Sequence, residues 1–229
     1  MHATSARGTR FGAVAALAFA TLLFMTVAVV DAPRAATDEE VIAWWSEESN
    51  QTAEVFSMFF AFGAALSLLA FLSVVAPRLR AAEGGEGRVA AFVYASGIVY
   101  VVLLLLAGVL RGAVASSVLL GDEPLPGVDT LRLVPAASWV LLGSLGLPLA
   151  ATCVAAVSWL VLRTRLLGRW VGWLGLGVAA ALLGAVVIGP WLIPLLLLWS
   201  LSMAVALWRG QPALNTRPAH TSTGVPLGT

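Results

Sequence analysis

Lysine is missing altogether: all thirteen basic residues are arginine. Without it there is no glycine-rich loop closed by a lysine to hold a nucleotide phosphate. The two histidines, His2 and His220, lie in the terminal tails. No imidazole is therefore placed to ligate haem or zinc, or to activate a serine, inside the fold. The lone cysteine, Cys153, excludes an internal disulfide and stands in an apolar run, so it carries no information about redox compartment. Charge is also scarce, at 11% of residues, against about a quarter in an ordinary soluble domain. No carboxylate lies mid-way along a long apolar run, which removes the usual device of proton- or sodium-coupled pumping. These absences disfavour catalysis and ion-coupled transport. No cofactor or metal is expected, and nucleic acid is not an expected partner.

What fills the chain instead is apolar: 60% of the 229 residues are hydrophobic. They come in blocks near the roughly 20 residues that span a hydrocarbon core. The first run, 11–30, exceeds the 7–15 or so residues of a signal-peptide core and reads as an uncleaved helix. The second, 55–76, stops at Pro77-Arg78-Leu79-Arg80. The third starts at Val89 and is broken only by Arg111, giving a span over 89–111. The fourth, 138–162, contains Pro148, whose missing N–H and bulky ring predict a kink near Ser144. The final stretch is too long for one span, and Gly189-Pro190 divides it into 170–188 and 191–208, with Pro194 in the first turn of the last helix. The expected fold is all-α: a polytopic transmembrane bundle of six spans forming a single domain over 1–209. Residues 210–229, polar and without periodicity, are expected to be a disordered cytoplasmic tail.

Charge asymmetry sets the expected orientation. With six spans and an inward N-terminus, ten of the thirteen arginines fall on the cytoplasmic side and ten of the twelve acids fall outside, as the positive-inside rule requires. Six tryptophans fall at expected helix ends (Trp139, Trp159, Trp170, Trp173, Trp191 and Trp208), where indoles favour the interface. Only Trp199 is expected mid-span. Both termini are thus expected in the cytoplasm of a plasma-membrane protein. The all-arginine, Ala- and Gly-rich composition reads as that of a GC-rich bacterial genome.

Four features carry any chemistry there is. Thr37-Asp38-Glu39-Glu40 is a capping box, and it predicts a short outer helix with Trp44 and Trp45 on one side. That helix reads either as an interfacial anchor with its indoles among the headgroups, or as a partner-docking element or lid. Glu54 and Arg111 are the ionisable residues touching the membrane, at the outer ends of two hairpin-related helices. They read either as an ion pair, or as a helix-start carboxylate beside an arginine that snorkels to headgroups. Ser96, Tyr100 and Thr152 are candidate lining residues of a small cavity between the third and fourth spans; the competing reading bonds such groups to their own or a neighbouring helix. The spacings Gly63-x-x-x-Ser67, Gly108-x-x-x-Gly112 and Gly168-x-x-x-Gly172 allow close helix approach. The segment 121–133, with Asp122, Glu123 and Asp129, reads as a loop.

The stretch from Trp44-Trp45-Ser46-Glu47-Glu48-Ser49-Asn50-Gln51-Thr52 through the Phe-rich second run, Arg78-Leu79-Arg80-Ala81-Ala82-Glu83-Gly84-Gly85-Glu86-Gly87-Arg88 and the third run resembles a group of small, uncharacterised six-helix integral membrane proteins of actinobacteria. With the tight final hairpin, the resemblance extends over most of 10–209. It implies six-helix topology and no activity. The expectation is a non-enzymatic multi-pass protein with an interaction or membrane-organising role, its partners the lipid bilayer and another membrane protein. The alternative is a small-solute facilitator or transporter subunit using a cavity between the third and fourth helices, near Tyr100 and Pro148.

Overall fold

Apolar runs of this length leave the backbone no partner but itself, and the described residues are helical almost throughout. The computed structural model describes residues 2–28, 37–83, 85–164, 167–184 and 190–209. The expected tail over 210–229, Arg34, Arg165 and Gly189 lie outside them.

Helix α1 is His2–Ala28, α2 is Asp38–Ser46, α3 is Glu48–Glu83 and α4 is Arg88–Gly121. A continuous rod follows: α5, Val128–Trp139; a π-helical stretch, Val140–Gly146; and α6, Leu147–Thr164. Then come α7, Arg169–Leu183, a 3-10 turn at Pro190–Leu192, and α8, Ile193–Arg209. Among the described residues, four helical segments are long and apolar enough to cross a bilayer: Gly8–Ala28, Glu48–Glu83, Arg88–Gly121 and Val128–Thr164. The remaining two apolar helices, α7 and α8, have 15 and 17 residues.

Several boundaries move from their expected places. Helix α3 starts at Glu48 rather than 55 and runs through Pro77 to Glu83; α4 continues ten residues past Arg111. At 1.5 Å per residue these helices reach about 54 and 51 Å, well beyond a hydrocarbon core of about 30 Å. Hydropathy marks only the part of a helix that needs lipid, and the polar turns that prolong it are invisible to that signal. The segment 121–133 is only partly a loop, because α5 starts at Val128.

Where a kink is expected near Ser144, the structure has a π-helical stretch. Pro148 offers no hydrogen to the Ser144 carbonyl and crowds it. The preceding turn widens, so that Leu147 donates its N–H to Leu142 five residues back. A π turn of this kind shifts the rod's register without breaking it.

The long elements close into a ring: α1 packs on α3, α3 on α4, α4 on α6, α6 on α7, α7 on α8, and α8 on α1. Small residues permit the closest approaches. A Cβ added at Gly108 would stand 2.7 Å from the Ala61 Cβ, and one at Gly112 would stand 2.6 Å from the Met58 sulfur. This Gly-x-x-x-Gly pair therefore serves the α3–α4 contact within the chain. Outward, Phe56, Phe59 and Phe62 of α3 and Phe92, Val102, Leu106 and Val109 of α4 are exposed. With an apolar core inside and apolar side chains outside, the bundle has the surface of a membrane protein.

Candidate functional site

At one end of the ring, α2 packs against α3 and α5, and α5 against α4. Helix α2 begins at the capping box as expected: Glu40 donates its N–H to Thr37 Oγ1, and Thr37 donates its N–H to Glu40 Oε2. Its far end is held by α3. There Gln51 Nε2 donates to the Trp45 carbonyl at 2.6 Å, and Asn50 Nδ2 to the Trp44 carbonyl at 3.0 Å. Arg132 of α5 bonds Asp38 at 2.8 Å. Inside this cap, Val41, Trp45, Val114, Ala115 and Leu131 make a core separate from that of the bundle. The headgroup-anchor reading does not describe Trp45, while Trp44 is half-buried. Trp45 is 1% exposed, with Trp44 edge-on against it at 5.0 Å. Ile42 is the large apolar residue α2 exposes.

Between the cap core and the bundle core sits the ion pair. Arg111 Nε is 3.0 Å from Glu54 Oε2, and its NH2 is 3.3 Å from Oε1. The two planar groups thus meet fork to fork. The remaining nitrogen, NH1, donates to the Thr26 carbonyl near the end of α1 at 3.2 Å, and Ser57 Oγ donates to the same oxygen at 2.8 Å. The guanidinium lies 5.6 Å from the Trp139 ring centroid, within cation–π range. Glu54 is 1% and Arg111 4% exposed, so Arg111 does not snorkel. Ser138 Oγ, beside Trp139, bonds the Ala107 carbonyl and fixes α5 against α4. Four elements (α1, α3, α4 and α5) therefore meet on one buried charge pair. Its position was readable from the sequence; the Thr26 carbonyl and Trp139 were not, because nothing local marks a carbonyl or an indole as a partner for an arginine 85 or 28 residues away.

The residues expected to line a cavity are not brought together. Ser96 Oγ donates to the Val93 carbonyl and Thr152 Oγ1 to the Leu149 carbonyl, each on its own helix. Tyr100 does line a small cavity on the ring axis, with Phe19 of α1, Leu68 of α3, Cys153 of α6 and Trp199 of α8. It leaves about 20 Å³ for the centre of a water molecule, room for about one water. Three buried polar atoms nearby have no hydrogen-bond partner among the described residues: Tyr100 Oη, Ser158 Oγ and Trp199 Nε1. Gly175 of α7 stands against two of them, since an added Cβ would sit 2.0 Å from Ser158 Oγ and 2.9 Å from Trp199 Nε1. Ser158 and Gly175 carried no sequence signal in a chain so rich in small residues.

The opposite end is basic. Among the described residues it carries Arg10, Arg78, Arg80, Arg88, Arg163, Arg169 and Arg209, with Glu83 and Glu86 as its acids. Glu83 closes the α3–α4 turn by accepting the N–H groups of Val89 and Ala90, both at 3.0 Å. Those bonds hold its carboxyl below the ordinary 4.5; desolvation opposes them, and Arg163 adds to the lowering.

Compared with known proteins, the chain matches no protein-family model, no curated protein and no solved structure.

Proposed function

We propose that this chain is a six-span protein of a bacterial plasma membrane, both termini cytoplasmic, that presents its cap to another membrane protein and performs no catalysis. The cap carries the reading. It has its own apolar core, is fastened at both ends of α2, and holds Asp38, Glu39, Glu40, Glu47, Glu48, Asp122, Glu123 and Asp129 exposed. A segment this firmly built above the bundle, with an acidic exterior, suits recognition of a basic partner surface. The seven arginines at the opposite end support placing that end in the cytoplasm. Helices α7 and α8, at about 22 and 26 Å, are read as the fifth and sixth spans because they complete the ring, and short spans are accommodated by local bilayer thinning.

Affinity purification in mild detergent, followed by identification of co-purifying proteins, tests the interaction. Recovery as a lone monomer, with or without the cap acids replaced by Gln and Asn, refutes it. The sixth span has its own test. Cys153 is buried, so a cysteine introduced at Gly189 is the one expected to react with an impermeant maleimide, and it should do so from outside the cell. The facilitator alternative rests on the axial cavity at Tyr100, and solute uptake lost on Tyr100→Ala would favour it.

A further inference from the structure

We infer that the basic end is a binding surface for anionic phospholipid, centred on the α3–α4 turn and its neighbours on α6 and α7. The inference rests on the reading of the chain as membrane-embedded, and not on the identity of any protein partner. The charges at this end are unequally engaged. Arg88 pairs with Glu86, and both side chains stay largely in solvent. Glu83 is taken up by the first N–H groups of α4. Arg78 bonds the Val74 carbonyl and Thr9 Oγ1.

Arg10, Arg80, Arg88, Arg163, Arg169 and Arg209 are all exposed, and of these Arg80, Arg163 and Arg169 flank the α3–α4 and α6–α7 connections with no carboxylate among the described residues bonded to them. Arg80 lays its stem across Gly87, which takes φ of 66° and has no Cβ to obstruct it. Arg163 is held over the Trp159 ring at 5.2 Å, near enough to Glu83 to stabilise its charge. Arg169 opens α7, one turn before Trp173. The indoles of Trp159, Trp170, Trp173 and Trp208 are 43–63% exposed. Guanidinium groups above a belt of exposed indoles match the layering of a leaflet, phosphate above and acyl–glycerol boundary below. Guanidinium also binds phosphate oxygens through paired N–H donors, which favours a phosphate headgroup over a diffuse counterion cloud.

The test uses the full chain in mild detergent, titrated with phosphatidylglycerol or phosphatidylcholine and followed by native mass spectrometry and thermal melting. Phosphatidylglycerol should bind at least about tenfold more tightly. An attraction of about 1 kcal/mol per arginine is about fivefold in affinity, so Arg80→Gln/Arg163→Gln/Arg169→Gln should lose about a hundredfold. Arg132→Gln, at the cap end, should lose nothing. The triple Lys variant should keep most of the preference, which holds the test open should the Gln variant fold poorly. Equal binding of the two lipids overturns the inference, as does a preference that survives the Gln variant. Displacement of the lipid by millimolar inorganic phosphate would also overturn it, by showing a free-phosphate site in place of a lipid surface.

Discussion

Replacing Arg111 with Met should be among the most damaging single changes in the chain. The substitution keeps much of the volume but removes five donors from a site where Glu54 is 1% exposed. At the 3.0 Å contact, even an effective dielectric of about 20 gives an attraction of several kcal/mol. The carboxylate left behind would be buried without its counter-charge, at a cost of about 3–5 kcal/mol. Glu54→Met should cost a similar amount, since it strands the guanidinium. The double variant Glu54→Met/Arg111→Met is expected to be more stable than either single, because two apolar side chains replace two charges and the Thr26 carbonyl keeps the Ser57 hydroxyl. The coupling should reach about 3 kcal/mol or more. Reversible unfolding in detergent, followed by helical circular dichroism, measures all three. Arg132→Gln serves as control: its pair with Asp38 is partly solvated and should be worth about 1 kcal/mol or less. An Arg111→Met cost no greater than that of Arg132→Gln, or a double variant that loses the sum of the singles, would refute a coupled buried pair.

Three further outcomes are expected. Gly175→Ala should destabilise by about 1–3 kcal/mol through overpacking, and Ser158→Ala in the same chain should recover most of that, since the clash at 2.0 Å is with Ser158 Oγ; additivity in thermal melts would refute the contact. Trp45→Ala should cost about 3–5 kcal/mol locally and strip hydrogen-exchange protection from α2 while α6 and α7 keep theirs; loss of protection throughout would show that the cap has no core of its own. Glu83 supplies a pH dependence: its carboxyl is lowered in the folded chain, so its contribution is present above about 4.5 and disappears as pH falls through the folded value. Glu83→Gln should flatten that acid limb of the melting curve and leave the neutral region level.

The sequence and the structure agree most closely where a local rule governs. The capping box at Thr37 and the π turn before Pro148 depend on residues within a few positions of one another; the first is as the pattern has it, and the second stands where a kink is expected. The pairing of Glu54 with Arg111 was readable for a different reason: so few charges border the apolar runs that two at one depth have little choice. What escaped the sequence involves groups that every residue possesses or that this chain has in excess. The Thr26 carbonyl carries no signature of its own, and Gly175 is one glycine among 22. Trp45 was legible as an anchor but not as the centre of a core, because its neighbours Val114, Ala115 and Leu131 come from two other elements. The starts of α3 and α5 were lost to polar turns that continue a helix without advertising it.

The buried pair also imposes a schedule on biogenesis. Glu54 leaves the ribosome 57 residues ahead of Arg111, an interval of roughly three to eleven seconds at 5–20 residues per second. Throughout it, Glu54 lacks the arginine that it meets in the folded chain. Only when the far end of α4 emerges can both charges leave water together, against a Thr26 carbonyl already delivered by α1. The pair and its carbonyl partner are therefore complete only once α1, α3 and α4 have all been made.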